Sequence, residues 1–187
     1  MCGGRPFGRP SNLPSSVQVR RDSAHIRDAL PADHTAVVAI NDAAVPNVNA
    51  LPPDYFAWLV ANVAYFRVAE DAEGVAGFVM CLASGGGYWS ENYTWFTARY
   101  DSFLYLDRVV VAERVRGRGV GALLYDDLHR FAQGKWPRVT LEVNLKPPNP
   151  DSIRFHERLG YDRVGVREYN GGANAVAMFE RQVKGER

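Results

Sequence analysis

The chain has 187 residues, 47% of them hydrophobic and 23% charged, with a net charge of +1. That suffices for one domain with a sizeable core and gives no global push towards nucleic acid or a membrane surface. Two cysteines, Cys2 and Cys81, form neither a disulfide framework nor a metal-ligand spacing, and no apolar run reaches the roughly 20 residues of a membrane helix, so a cytoplasmic setting without a bound metal is expected.

Residues 1–22 carry arginines but no apolar core and read as a flexible tail; residues 23–185 read as a single domain. "HIRDAL" (25–30) is a short first strand. Pro31 and Asp33 suit a helix start, and that helix runs to about Ala44. "PDYFAWLVANV" is a second helix, with Phe56, Leu59, Val60 and Val63 on one face. "AYFRVAED", a Glu73-Gly74 turn and "VAGFVMCLAS" form a strand hairpin. The aromatic-rich segment 85–101, "GGGYWSENYTWFTARYD", is too long for a hairpin turn and reads as an ordered excursion.

"SFLYLDRVVVA" (102–112) is the clearest strand, and alternation puts Phe103, Tyr105, Asp107, Val109 and Val111 on one face. A helix after the glycines carries Val120, Leu123, Leu124, Leu128 and Phe131 as its apolar stripe. "RVTLEVNL" is a strand. "PPNPDSIRFHERLG" is a helix with Asn149 before it and Gly160 at its end. "YDRVGVREY" and "ANAVAMFERQV" close the chain as strands. The order implies an α/β domain of the α+β type on a mixed sheet, with no internal repeat.

The chemistry centres on "VVVAERVRGRGVGALL". Glycines where a strand hands over to a helix expose backbone amides at the positive end of the helix dipole, and Arg116 and Arg118 add charge. A plain strand-to-helix connection with solvated arginines would also use such residues. A P-loop fails because no Lys-Ser or Lys-Thr follows. A dinucleotide fingerprint fits Gly117, Gly119 and Ala122, with Glu142 about 20 residues on, but "AERVR" separates it from its strand. That alternative would make the protein a nucleotide-dependent oxidoreductase.

The segment more closely resembles the coenzyme A loop of the GNAT acyltransferase superfamily, whose pattern of Arg or Gln, two residues, Gly, one residue, Gly or Ala is filled by Arg116, Gly119 and Gly121. A second family motif follows in order: a strand, then Asn149, Ser152, Phe155 and Leu159-Gly160-Tyr161. The resemblance covers roughly residues 102–168. It implies a mixed, mostly antiparallel central sheet flanked by helices. It also implies transfer of an acetyl group from acetyl-CoA to a primary amine of a small molecule or a peptide N-terminus. By the same likeness, Arg116, Gly117, Arg118, Gly119, Val120 and Gly121 cradle the pyrophosphate. Val109, Val110 and Val111 pair with the pantetheine arm, and Asn149 and Ser152 contact it.

Acyl transfer needs a neutral amine, which a group of pKa about 10.4 scarcely offers at pH 7, so a general base is required. Glu142, on the strand after the loop helix, is the first candidate, and Asp107 the second. His156 stands where many relatives carry a tyrosine that protonates the departing thiolate, and histidine can donate a proton there too. Plainer roles are a surface glutamate for Glu142, an ion pair with Arg108 or Arg154 for Asp107, and a solvent-facing helix position for His156. For Asn149 the plainer role is helix capping. Cys81 reads as a core residue. Segments 41–53 and 85–101 are expected to shape the acceptor site, the second as a lid; its aromatics would alternatively form a satellite core or a homodimer contact. A non-catalytic CoA sensor is the competing function. Nucleic acid has no support as a partner.

Overall fold

In the computed structural model, which describes residues 24–183, seven strands form one sheet in the order β1-β2-β3-β4-β5-β7-β6. The segment read as a tail, with Cys2, lies outside the described residues. β1 (His25–Asp28) is followed by a 3-10 turn at Pro31–Asp33, α1 (His34–Asp42) and α2 (Pro53–Asn62). β2 (Tyr65–Asp71) and β3 (Gly74–Ala83) form the expected hairpin. Next come α3 (Glu91–Thr97), β4 (Leu104–Val111), α4 (Val120–Ala132) and β5 (Arg138–Lys146). α5 (Pro150–Arg158), β6 (Asp162–Tyr169) and β7 (Asn174–Gln182) complete the domain. The sheet is mixed and mostly antiparallel, as expected. No helix among the described residues is long and apolar enough to cross a membrane.

The segment 85–101 contains a helix that its composition hides. Ser90 accepts a hydrogen bond from the Tyr93 amide and starts α3, whose Tyr93 and Phe96 are buried. Tyr, Thr, Trp and Phe are mediocre helix formers, so tertiary packing rather than propensity holds this short element.

Two cores lie on opposite faces of the sheet. On one, α4 and α5 cover Val79, Leu104, Leu106, Leu141, Val143 and Phe179. On the other, α1, α2 and α3 cover Phe78, Met80, Phe103, Tyr105, Val110 and Met178. Leu123, expected in the α4 stripe, is 41% exposed; Tyr125 and Ala132 complete the buried side instead.

The expected alternation along β4 fails at one residue. Met80 of β3 pairs with Arg108 and Cys81 with Leu106, so Asp107 is the extra residue of a β-bulge. Phe103 and Tyr105 do share a face with Asp107, but beyond the bulge Val109 and Val111 pack on the α4 side. Asp107 and Arg108, adjacent in sequence, both point to the α1–α3 side, which a regular strand forbids.

β4 and β5 are the one parallel pair, joined only at Leu104–Val139 and Tyr105–Thr140. Past those residues the strands diverge, and the sheet is open between Leu106–Val111 and Leu141–Asn144. The Thr140 hydroxyl at this junction is buried with no hydrogen-bond partner among the described residues. A buried, unsatisfied hydroxyl is costly, so Thr140→Val, which keeps the shape, should stabilise the fold by about 1 kcal/mol in urea unfolding.

Candidate active site

A cleft of about 530 Å³ opens where β4 and β5 part. Its walls come from both faces of the sheet: Tyr55, Tyr88 and Asn92 on the α1–α3 side, and Arg116, Ser152 and His156 on the α4–α5 side. It is therefore a passage through the sheet, not a groove on it.

Glu142 of β5 lies within it. Its strand partner Met178 belongs to the α1–α3 core, which fixes the face its side chain takes. The Tyr105 hydroxyl donates to Oε2 (2.7 Å) and Asn92 Nδ2 donates to Oε1 (2.9 Å). The carboxylate touches the open cleft, yet protein surrounds it closely. Desolvation pushes its pKa up to about 7, although both hydrogen bonds pull the other way. A carboxylate of that pKa is suited to taking a proton near neutrality.

Asp107 sits across the cleft in a different setting. It accepts from the Tyr88 hydroxyl (2.6 Å), more distantly from the Tyr55 hydroxyl (3.5 Å), and from Arg108 Nε (2.8 Å). The two tyrosine hydroxyls also bond to one another. Arg108 is only 5% exposed. It donates further to Asn41 Oδ1 (2.9 Å), the Asn49 carbonyl (3.2 Å) and the Tyr55 hydroxyl (3.3 Å). The ion pair therefore ties the α1–α2 loop down onto β4. Arg154, the other cation considered, pairs with Asp151 on α5 instead.

His156 is buried, not solvent-facing. Its Nδ1 lies 2.7 Å from the Ser152 carbonyl, which can only accept, so Nδ1 carries the proton. Nε2 then accepts from the Tyr125 hydroxyl at 2.5 Å. Burial pushes the imidazole pKa below its ordinary value, which keeps the ring neutral.

Gly117 and Gly119 have φ of +75° and +84°, the left-handed region, where a side chain would be strained. A Cβ on Gly121 would instead come to 3.4 Å from the Phe155 ring, in van der Waals contact with α5. The amides of Gly119, Val120, Gly121 and Ala122 find no acceptor among the described residues. The Val120 side chain is a core residue, so only its backbone is free. Asn149 Oδ1 accepts from the Ser152 amide (3.3 Å) and caps α5.

Glu142, Asp107, His156, Val109, Val110, Val111, Arg116, Asn149 and Ser152 thus line one cleft, while Gly117, Arg118, Gly119, Val120 and Gly121 continue from Arg116 into α4. Sequence reasoning missed Tyr125 and Tyr55 as site residues, and it placed Tyr88 and Asn92 only within the segment expected to shape the acceptor site. A tyrosine inside the leucine stripe of α4 was the only trace of the first. The others become neighbours of Glu142 and Asp107 only in the fold.

The sequence model of the acetyltransferase (GNAT) family matches residues 33–161. The chain belongs to the GNAT acetyltransferase family. Its enzyme class is acyltransferase, and its reaction is N-acetyl transfer in the general sense. Among solved structures, this GNAT chain is similar to NAA60 of Arabidopsis thaliana in complex with acetyl-CoA, at 20% identity and a TM-score of 0.70, covering 86% of this chain and 100% of that one. It is also similar to Ard1 from Thermoplasma volcanium, at 23% identity and a TM-score of 0.67 over 87% and 99%. A third is the ribosomal-protein-S18-alanine N-acetyltransferase of Escherichia coli, at 14% identity and a TM-score of 0.62 over 86% and 94%. At these identities the likeness concerns the fold. No curated protein matches the GNAT chain in sequence.

Proposed function

We propose that the protein acetylates a primary amine, of a small molecule or a peptide N-terminus, with acetyl-CoA as donor, and that the two substrates meet inside the passage between β4 and β5. One observation carries this reading: a carboxylate held between Tyr105 and Asn92 stands in an opening through the sheet, and the loop that follows Arg116 on its wall has amides with no acceptor among the described residues.

Acetyl-CoA enters from the α4–α5 side. Its pyrophosphate rests on the amides of Gly119 to Ala122, with charge from Arg116 and Arg118. The pantetheine arm runs beside the unpaired edge of Val109–Val111, with Asn149 and Ser152 on its other flank. The amine enters from the α1–α3 side, past Tyr55 and Tyr88. Glu142 takes one proton from the ammonium, the neutral nitrogen attacks the thioester carbon, and the carbon–sulfur bond breaks as the tetrahedral intermediate collapses, the second nitrogen proton passing to the departing thiolate to leave an amide and the CoA thiol. His156 is neutral at rest with no proton on Nε2. The Tyr125 hydroxyl commits its one proton to His156 Nε2, so neither group offers a proton to the sulfur and the two together form a neutral, polar wall beside it. Asp107, engaged by Arg108 and Tyr88, shapes the acceptor wall and leaves the base role to Glu142.

The test is thermal melting with acetyl-CoA, CoA, NADH and ATP in parallel. A ligand at 100 times its dissociation constant adds about 2.7 kcal/mol. Stabilisation by the two CoA species alone is expected, followed by amine-dependent thiol release. Stabilisation by NADH instead would overturn the reading.

A further inference from the structure

We propose that Asn92, itself fixed by Arg167, is a positioning residue that aims the Glu142 carboxylate at the acceptor amine. The inference rests on Glu142 being the base.

Asn92 lies in the first turn of α3, 50 residues before Glu142 in sequence. Its Nδ2 donates to Glu142 Oε1 (2.9 Å), and its Oδ1 accepts from Arg167 Nη1 of β6 (3.1 Å). The orientation of this amide is dictated by its neighbours. A guanidinium can only donate and an ionised carboxylate can only accept, so the oxygen must face Arg167 and the nitrogen Glu142. Arg167 is in turn held by an ion pair with Glu91, the residue before Asn92. Two consecutive residues of α3 therefore grip one cation.

The platform beneath them is closely packed. Gly165, two residues before Arg167, has no side chain where the Trp95 indole of α3 lies; a Cβ there would sit 2.5 Å from Trp95 Cζ2. α3 thus rests directly on β6, and Asn92 bridges from it to β5. The Tyr93 hydroxyl donates to the Ala83 carbonyl (2.7 Å) and fixes the preceding loop as well.

The ionisable groups around Glu142 are few. From β4 come Tyr105, bonded to Oε2, and the Asp107 carboxylate, whose charge also opposes ionisation of Glu142. From the segment before α3 comes Tyr88, with its ring 6.1 Å from that of Tyr105. Arg167 and Glu91 stand behind Asn92. Tyr105 and Asn92 thus fix one carboxylate oxygen each. The Asn92 bond favours the charged form, and its loss raises the pKa of the base. It also frees the carboxylate to rotate out of line. This gives the polar Glu91-Asn92 pair inside an aromatic segment a definite task.

The experiment is the pH dependence of kcat/KM for the wild type and for Asn92→Ala, Asn92→Leu, Arg167→Met, Arg167→Lys and Glu142→Gln, with melting curves run in parallel. The wild-type acid limb should fall near pH 7. In Asn92→Ala and Asn92→Leu it should move up by about one pH unit, a loss of roughly tenfold at pH 6.5 that narrows to within threefold at pH 9. Arg167→Met should move it in the same direction, Arg167→Lys should restore part of it, and the Asn92→Ala/Arg167→Met double variant should be no worse than Asn92→Ala alone. If Glu142→Gln keeps the acid limb, Glu142 is not the base and the underlying reading fails. If Glu142→Gln abolishes the limb while both Asn92 variants leave it in place, or lower the rate equally at every pH, the positioning role is overturned and the base assignment stands.

Discussion

Glu142→Gln should inactivate the enzyme and stabilise it at the same time. Removing a general base lowers the rate by about 10²- to 10⁴-fold. The stability gain follows from proton linkage. The folded pKa is about 7 against an ordinary 4.5, so the native state holds a proton that the unfolded chain releases. This favours folding fully below pH 4.5, and the advantage is lost as pH rises through 7. Above that the ionised side chain costs up to about 3 kcal/mol, an upper bound because the cleft admits solvent. Glutamine keeps the shape without the charge, accepting from Asn92 and donating to the Tyr105 oxygen, whose own proton then loses its acceptor and offsets part of the gain. Urea unfolding should find Glu142→Gln more stable than the wild type at pH 8, with the difference vanishing towards pH 4. Equal stability at both pH values would mean that the carboxylate is not desolvated.

Arg108→Met should be the most destabilising single change at the site. The guanidinium is buried and supports Asp107, Asn41, Tyr55 and the Asn49 carbonyl. Its removal leaves the Asp107 carboxylate unpaired and cuts the α1–α2 loop from β4. Breaking a buried pair in this way costs about 3–5 kcal/mol, or roughly 10 °C in Tm for a domain of this size. The double variant Asp107→Asn/Arg108→Met should recover about half of that loss, because the orphaned charge goes with it. A single variant that melts within 2 °C of the wild type, a margin of roughly 1 kcal/mol, would show that the pair carries little.

The parts of the fold written in local patterns were legible. Periodicity marked every strand and four of the five helices, and the glycine–arginine spacing marked the loop before α4. α3 was hidden because Tyr93, Thr94, Trp95 and Phe96 carry no helical preference; burial of two of them decides the matter. The bulge at Asp107 was hidden for another reason. It is a property of how β3 and β4 pair, and a strand read alone can only alternate. It reversed the faces of Val109 and Val111 and made Asp107 and Arg108 partners. Glu142 could be picked out as a charge within an alternating apolar strand. Its partner Asn92 is 50 residues away, and no spacing rule joins them. The same holds for Tyr125 and His156, which lie 31 residues apart and meet only in the fold, one on α4 and one on α5.

The two-residue junction between β4 and β5 gives this sheet an edge in its middle. Open strand edges usually invite other chains, and proteins blunt them with charges, prolines or covering loops. Here the inner rims are guarded by geometry. A folded neighbour is too thick to enter a gap that walls itself off with helices on both faces. On the function proposed above, it is a slim, flexible, amide-bearing molecule that lies along it and supplies the missing rung. The architecture that makes the protein hospitable to its donor substrate thus also keeps its most adhesive backbone away from other proteins.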